Sequence, residues 1–466
     1  MSTKHTKAAD RFIANKAQEV WHNQTLRFVR DKRDNMAMQL PEWETLRETA
    51  HQIKMHTITH LDHYLNEFSM HAEANGVLVH WAKDADEHNQ IVYSILQSHG
   101  VKKLVKSKSM LTEECHLNPF LIEKGIDVVE SDLGERILQL MHKAPSHIVM
   151  PAIHLKRQDV GRLFETKLNT EKDNSDPTYL TQAARVHLRQ EFLTAGAAMT
   201  GANFGVASTG DVVVCTNEGN ADMGTALSPL HIISMGMEKV IPDLKSLAVF
   251  IRLLARSATG QPVTAYTSHY RKPREGSEMH LVIVDNGRSN MLGNEDHLQT
   301  LKCIRCGACM NTCPVYRRSG GYSYTYFIPG PIGINLGMSR SPEKYSDNLS
   351  ACSLCYSCNN VCPVKIDLAD QIYKWRQKLD SFGKADPAKK NLSVGMAFLF
   401  KRPVLFQTGL KMAPVINRMP RFFVYNGLND WGKGREMPHF AIHSFAALWK
   451  KGKISGANQK KKNAES

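Results

Sequence analysis

Residues 303–314 read Cys-Ile-Arg-Cys-Gly-Ala-Cys-Met-Asn-Thr-Cys-Pro, and residues 352–363 repeat the pattern as Cys-Ser-Leu-Cys-Tyr-Ser-Cys-Asn-Asn-Val-Cys-Pro. Both stretches have the spacing C-x2-C-x2-C-x3-C-P, which is the run found in bacterial ferredoxins. Three thiolates spaced in this way on a tightly wound loop can reach three corners of one iron–sulfur cubane. The fourth cysteine begins the next helix, and the proline after it suits the change of direction. The sequence therefore predicts two [4Fe-4S] clusters.

The fourth cysteine of each run is predicted to bind the cluster of the other run, as in two-cluster ferredoxins. Cluster 1 is expected to take three ligands from the first run and one from the second, namely Cys303, Cys306, Cys309 and Cys362. Cluster 2 is expected to take the complementary set, namely Cys352, Cys355, Cys358 and Cys313.

Other uses of these cysteines fit the pattern poorly. A structural zinc site would place four ligands as two pairs separated by a longer loop. Disulfides are not expected in a cytosolic chain. The remaining cysteines, Cys115 and Cys215, lie far from the two runs in the sequence and are predicted to be small buried apolar residues.

The connection between the runs indicates which kind of ferredoxin module this is. Thirty-eight residues separate Cys313 from Cys352, whereas a small β-hairpin ferredoxin has a shorter connection. Residues 367–379, after the second run, have a helical pattern. We therefore predict an α-helical ferredoxin-like domain over residues 293–385.

The long segment before the clusters is predicted to contain two further parts. Residues 1–70 have apolar residues at helical spacing and form an N-terminal helical segment, in which His56, His60 and His63 share an exposed face. Residues 71–292 alternate short apolar strands with segments long enough for crossover helices, which predicts an α/β domain with a largely parallel sheet. The predicted strands include residues 77–79, 103–105, 127–129 and 147–149.

Residues 203–220, NFGVASTGDVVVCTNEGN, are typical of a strand, a tight turn and a second strand. The glycines and small polar residues of this stretch could also let backbone amides bind an anion. The sequence leaves both interpretations open.

Composition and charge exclude several classes of protein. The chain has 466 residues, of which 42% are apolar and 22% charged, so its bulk is not disordered. The net charge is +14, and residues 384–466 contribute +12 of it from 16 Lys and Arg against four acidic residues. This basic, aromatic-containing C-terminal region, residues 386–466, suits an acidic partner protein or a membrane surface. No nucleic-acid-binding signature accompanies it, so nucleic acid is not an expected partner.

Signals for secretion and for common cofactors are absent from the sequence. The first residues lack the apolar core of a signal peptide, and the most apolar run, residues 246–255, contains Arg252. We therefore expect a cytoplasmic protein, with peripheral contact at the inner face of the membrane as an option for the basic region. No strand is followed by G-x-G-x-x-G, the fingerprint of dinucleotide sites. Residues 427–433, GLNDWGK, match a P-loop only by coincidence, because no apolar strand precedes them and Gly434 replaces the Ser or Thr.

Across essentially its whole length the chain resembles the lactate-utilisation protein B family. The resemblance is carried in the α/β part by Lys106-Ser107-Lys108-Ser109-Met110 with Thr112-Glu113-Glu114, and by residues 130–135, 145–148 and 216–220. It continues in residues 313–317, 329–333 and 449–451. Ser131 stands where the family would have Thr. The resemblance implies a LUD-type α/β domain, related to sugar-phosphate isomerase and CoA-transferase folds.

The resemblance also implies a function. Such a chain is the iron–sulfur electron-transfer subunit of a bacterial system that oxidises L-lactate to pyruvate. Its expected partners are a cysteine-rich subunit of the Cys-Cys-Gly type and a second LUD-domain protein, and the electrons pass toward a quinone or another acceptor. The alternative is a regulatory or scaffold protein whose clusters sense redox state or iron. No catalytic residues can be assigned from the sequence.

Overall fold

A computed structural model describes residues 3–384, 387–426 and 436–453 of the chain. The contacts divide the chain into two compact units, residues 1–384 and residues 385–466. Among the described residues no helix combines the length and apolar character that a membrane span requires.

The first unit opens with four helices, as the sequence predicts. They are α1 Lys4–Ala14, α2 Lys16–Met38, α3 Trp43–Thr59 and α4 Leu61–Ala74. The side chains of Thr3 and Asn15 accept hydrogen bonds from the backbone N–H groups of Thr6 and Gln18, which satisfies free donors at the starts of α1 and α2. His56 on α3, His60 at the junction of the two helices and His63 on α4 are exposed, as predicted.

Six parallel strands form the central sheet of the α/β domain, in the spatial order β1-β10-β7-β4-β2-β3. They are β1 Leu78–Ala82, β2 Lys103–Lys106, β3 Asp127–Glu130, β4 Ala197–Gly201, β7 Leu230–Gly236 and β10 Glu278–Val284. The apolar side chains of β2, β3, β4, β7 and β10 are buried, which is typical of parallel strands covered on both faces, whereas Leu78 and Trp81 of the edge strand β1 are exposed.

A second, smaller sheet has the order β8-β5-β6-β9. Its strands are β5 Phe204–Val206, β6 Asp211–Thr216, β8 Val240–Ile241 and β9 Tyr266–Tyr270. The antiparallel pair β5 and β6 is the hairpin predicted at residues 203–220. Gly210 in its turn has φ +72°, and a Cβ atom there would lie 2.5 Å from the backbone nitrogen of Ala72, so the turn requires glycine.

Helices connect these strands and cover the central sheet. They are α5 Ala85–Ser98, α6 Met110–Glu114, α7 Leu117–Glu123, α8 Leu133–Leu140, α9 Arg157–Leu168, α10 Pro177–Thr194, α11 Asn220–Leu227, α12 Leu244–Thr259 and α13 Arg288–Leu292, with a 3-10 turn at Met237–Lys239. Cys115 is buried among apolar side chains of this domain, as predicted. Cys215 on β6 is only partly buried, contrary to the prediction.

The strand predicted at residues 147–149 is wrong. These residues form a buried irregular loop, in which the Nδ1 atom of His147 accepts hydrogen bonds from the backbone N–H groups of Val149 and Met150. One ring nitrogen thus accepts the two backbone hydrogen bonds that a neighbouring strand would otherwise accept. The loop is apolar because it packs against the first cysteine run, where Val149 and His147 lie beside Gly307.

The region that carries the cysteines is helical, and no strand occurs within residues 293–384. Its helices are α14 Ala308–Thr312, α15 Pro314–Ser319, α16 Gly330–Arg340, α17 Pro342–Tyr345, α18 Ser357–Val361 and α19 Leu368–Gln377. Shorter 3-10 segments are Leu298–Lys302, Gly321–Ser323 and Ser346–Ala351. The α-helical type of ferredoxin module predicted from the connection length is therefore correct.

One apolar core joins the N-terminal helices, the α/β domain and the cysteine region. Helix α2 packs on α12 of the α/β domain and also on α14 and α15, and α1 packs on α15. Leu26 of α2, Phe250 of α12 and Tyr316 of α15 belong to the same buried cluster. The N-terminal segment is thus part of the scaffold around the cysteines.

The second unit contains α20 Pro387–Phe400, α21 Pro403–Met412, α22 Arg421–Val424 and α23 Phe445–Lys450, with a 3-10 segment at Ala413–Arg418. No side chain described in this unit is buried. Its exposed aromatic residues include Phe398, Phe422, Phe423 and Phe445. The P-loop-like stretch at residues 427–433, which contains Trp431, and the lysines at residues 460–462 lie outside the described residues.

Candidate iron–sulfur centre

The two cysteine runs have the same backbone conformation. In each run the residues two and four positions after the first cysteine have positive φ: 61° and 76° at Arg305 and Gly307, and 53° and 59° at Leu354 and Tyr356. These left-handed residues wind each loop tightly before a short helix, α14 or α18, and the two helices pack against each other. A Cβ atom on Gly307 would lie 3.1 Å from the Cε1 atom of His147, whereas Tyr356 is exposed. The α/β domain therefore requires glycine in the first run only.

Three thiols of the first run lie together with one thiol of the second. Cys303, Cys306, Cys309 and Cys362 line one small apolar cavity, which Ile148, Ile332 and Leu368 help to close. Burial raises the pKa of the Cys306 thiol, and the nearby Cys362 thiol raises it further.

The other four cysteines form a second group. Burial raises the pKa of Cys313 to about 11, and the neighbouring thiols of Cys352 and Cys355 act in the same direction. Burial also raises the pKa of the Cys358 thiol, and the thiols of Cys313, Cys352 and Cys355 raise it further. Each group thus contains three cysteines of one run and the last cysteine of the other.

The surroundings of the thiols fit iron–sulfur ligation. Backbone N–H groups point at four sulfur atoms: Arg305 N lies 3.4 Å from Cys303 Sγ, Leu354 N 3.3 Å from Cys352 Sγ, Tyr316 N 3.5 Å from Cys313 Sγ and Ile366 N 3.3 Å from Cys362 Sγ. Such donors stabilise sulfur that carries negative charge. Because burial raises the pKa of the Cys313, Cys352 and Cys362 thiols, binding of iron must displace the protons of these three groups.

Buried cations surround the Cys303 group. Lys302 is fully buried, and its Nζ atom donates to the carbonyl oxygen of Lys365 at 2.9 Å. Burial lowers the pKa of Lys302 to about 8, and the Cys362 thiol opposes that shift. Burial also lowers the pKa of Lys54 to about 7, and Cys303 and Glu238 oppose it. Negative charge on the thiolates would keep both lysines protonated.

Two arginines of the N-terminal helices bind the backbone of the second run. Arg47 donates to the carbonyl oxygens of Cys362 and Asn360, and Arg33 donates to the carbonyl oxygen of Val361 at 3.0 Å. Neither these arginines nor the lysines around the Cys303 group are predicted from the sequence. Nothing in the sequence distinguishes a buried cation from an exposed one. The one available signal is the position of Lys302, directly before Cys303.

The two groups differ in their exposure to solvent. Cys306, Cys309 and Cys362 are buried and Cys303 is half-buried, whereas Cys355 of the other group is exposed. Tyr356, next to Cys355, is 42% exposed. The second group therefore reaches the surface of the first unit.

Comparison with known proteins covers the same two regions. Residues 65–290 match the LUD domain, and residues 299–366 match a 4Fe-4S dicluster domain. The chain is 41% identical over 438 residues to lactate utilization protein B of Bacillus pumilus, covering 90% of this chain and 91% of that protein. It is 44% identical over 385 residues to lactate utilization protein B of Geobacillus thermodenitrificans, covering 81% and 80%. It is also 39% identical over 443 residues to the uncharacterized electron transport protein YkgF of Escherichia coli, covering 92% of each chain.

Proposed function

Because this chain belongs to the lactate utilization protein B family, we propose that it is the iron–sulfur subunit that carries electrons away from L-lactate as it is oxidised to pyruvate. An iron–sulfur electron-transfer role in lactate utilisation rests on the 4Fe-4S dicluster domain and on the relatives that share both domains. Our proposal adds that the reaction served is the oxidation of lactate to pyruvate and that this chain is one subunit of a larger system.

The observation that carries the proposal is the gathering of eight thiols into two adjoining groups in one helical region. Two [4Fe-4S] clusters bound there supply one-electron transfer. We propose the crossed ligand sets, with Cys303, Cys306, Cys309 and Cys362 at cluster 1 and Cys352, Cys355, Cys358 and Cys313 at cluster 2. The cavity that Cys303, Cys306, Cys309 and Cys362 share supports the crossed assignment. The backbone donors at Cys303, Cys313, Cys352 and Cys362 support ligation by thiolates in both groups.

The protein around the thiols has two tasks in this proposal. Ile148, Ile332 and Leu368 exclude water from the Cys303 group. Lys54 and Lys302 offset the negative charge of its thiolates, which favours the reduced state of the centre they hold. At the other group, the exposure of Cys355 and Tyr356 supports electron exchange with a docked redox protein at this edge.

We further propose that the second unit docks the chain to the other proteins of the lactate-utilisation system: a cysteine-rich subunit and a second LUD-domain protein. Its positive charge would speed encounter with an acidic surface, and its exposed aromatic residues would supply the lasting contact. The same surface suits peripheral contact with an anionic membrane on the cytoplasmic side.

The test of the function is reduction of the clusters by lactate. The anaerobically reconstituted chain is mixed with L-lactate and with the two proposed partners, the cysteine-rich subunit and the second LUD-domain protein, and visible absorption and low-temperature EPR are recorded. We expect the visible absorption to bleach with L-lactate and to persist with D-lactate or without partners. Clusters that stay oxidised with L-lactate and the full set of partners, but are destroyed rapidly by oxygen, would favour the sensor alternative.

A further inference from the structure

The α/β domain contains a cavity of about 390 Å³ at the carboxyl ends of its parallel strands. Residues 107–109 after β2 and residues 201–203 at the end of β4 form part of its wall. Strands β2 and β4 are neighbours, but the chain proceeds from β2 to one edge of the sheet and from β4 toward the other. In parallel α/β sheets such a switch point opens the crevice in which ligands bind.

This cavity extends to the first cysteine run. Arg305 and Cys306 are in its wall, although they belong to the helical region. Cys306 and Ile148 also line the small cavity shared by Cys303, Cys309 and Cys362. A molecule in the large cavity would therefore be separated from cluster 1 by little more than the Cys306 side chain.

Two cations in the wall have unused hydrogen-bonding capacity. Arg305 lies 3.5 Å from Glu238 through Nη2, but its buried Nη1 atom has no hydrogen-bond partner among the described residues. Lys239, next to Glu238, makes neither a hydrogen bond nor a salt bridge within the described part of the chain. The buried hydroxyl of Thr216, also in the wall, lacks a partner there too. Buried polar groups are normally satisfied, so the Nη1 atom of Arg305 and the hydroxyl of Thr216 are the buried groups here that a ligand would satisfy.

The other charges around this end of the cavity are already paired. Arg288 binds Glu114 at 3.1 Å and also binds Glu238, and Arg340 binds Glu114 at 3.2 Å. Lys108, elsewhere in the wall, donates to the carbonyl oxygen of Val149 at 2.6 Å. Lys239 and the free edge of Arg305 are therefore the positive groups at this end that are left for a ligand, and they favour an anion.

We propose that this cavity binds an organic anion of about mononucleotide size, whose phosphate or carboxylate group is held by Lys239 and Arg305 beside Cys306. The volume falls in the range of about 300–1,000 Å³ typical of cofactor-sized ligands, and it is several times that of a three-carbon acid. The lack of G-x-G-x-x-G does not oppose such a ligand, since that motif serves dinucleotides. The inference goes beyond the proposed function and does not rest on it.

The test uses the full chain with both clusters reconstituted. Flavin mononucleotide, AMP and pyruvate are offered separately in anaerobic equilibrium dialysis. We expect flavin mononucleotide to bind at about one molecule per chain, and we expect Lys239→Met and Thr216→Val each to weaken binding, the former by tenfold or more. Lys245→Met, at an exposed position on α12, is the matched control and should bind like the wild type.

A spectroscopic readout reports where the ligand lies. Bound flavin mononucleotide should shift the EPR signal of the reduced cluster held by Cys306 in the wild type and in Lys245→Met, and leave it unshifted in Lys239→Met. Iron content should be the same in all variants.

The binding results distinguish an anion site at Lys239 from the alternatives. Binding of flavin mononucleotide, alone or together with AMP, that depends on Lys239 supports the proposal, and equal binding of both assigns recognition to the phosphate. Binding of pyruvate alone, binding that is insensitive to Lys239→Met, or no binding by any probe would overturn it. Reduction of the clusters by lactate is measured independently of these assays, so either result can fail without the other.

Discussion

The guanidinium group of Arg47 donates two hydrogen bonds to the carbonyl oxygen of Cys362, at 3.0 Å from Nε and 2.8 Å from Nη2. Arg47 lies on α3, 315 residues before Cys362. Its Nη2 atom also donates to the carbonyl oxygen of Asn360 at 2.9 Å. One buried side chain of the N-terminal segment thus fixes the turn that carries the last cysteine of the second run.

Replacing Arg47 should loosen this turn. Arg47→Ala leaves buried carbonyl groups with fewer donors, which we expect to destabilise the fold by about 2 kcal/mol. Because the turn carries Cys362, the variant should also release iron to a chelator several-fold faster than the wild type. Arg185→Ala, at an exposed position of α10, serves as the control. Equal rates of iron release in Arg47→Ala and the control would show that the N-terminal helices do not support the centre.

The second unit should be dispensable for the clusters and necessary for association. All eight cysteines of the two runs lie in the first unit, so deletion of residues 386–466 should leave iron content and visible absorption near wild type. The same deletion should abolish co-purification with the partner proteins. Association of the full chain should weaken as salt rises, because exposed charges are screened over about 10 Å at 0.1 M.

Two results would contradict this expectation in different ways. Loss of the clusters on deletion would make the second unit part of the cluster scaffold. Retention of both clusters and partners would show that its charge and aromatic residues do not contribute to docking.

A buried histidine should make stability depend on pH. His231 lies in the sheet, where its Nε2 atom is 2.9 Å from the hydroxyl of Thr200. Burial, and then the charge of Arg274, lower the pKa of His231 to about 3. The pKa in the unfolded chain is about 6.5. Below pH 6.5 the unfolded chain therefore binds a proton that the folded chain does not, and stability falls as the pH drops toward 3.

His231→Gln removes this contribution while it keeps an amide to bond with Thr200. Between pH 7.5 and 5.5, the midpoint of urea unfolding should fall less in His231→Gln than in the wild type. The slope from one such histidine is at most about 1.4 kcal/mol per pH unit. Identical pH dependence in the two proteins would mean that His231 is protonated in the folded state or leaves its site before unfolding.

Local patterns predicted much of this structure. The cysteine spacing predicted the clusters, the long connection between Cys313 and Cys352 predicted a helical module, and alternating apolar runs predicted the parallel sheet. The β5–β6 hairpin followed from small and polar residues around Gly210. Each of these features is set by neighbouring residues, which is why the sequence reveals them.

The features that were missed depend on contacts between distant residues. Arg47 binds backbone carbonyl groups, which every residue has, so no partner residue marks the contact in the sequence. His147, Ile148 and Val149 pack against the first cysteine run, and the burial of Ile148 and Val149 alone does not distinguish such a loop from a strand. Arg305 occupies one of the x positions of the C-x2-C-x2-C-x3-C-P run, where nothing local indicates that it lines a cavity of another domain.

EPR of single cysteine variants tests most directly whether the two runs exchange their last cysteines between the clusters. Cys303→Ser, Cys355→Ser and Cys362→Ser are reconstituted anaerobically, analysed for iron and reduced, and their low-temperature spectra are compared. We predict that Cys362→Ser alters the same cluster signal as Cys303→Ser and spares the signal altered by Cys355→Ser. If Cys362→Ser instead alters the signal altered by Cys355→Ser and spares that of Cys303→Ser, each run binds its own cluster and the crossed arrangement is wrong.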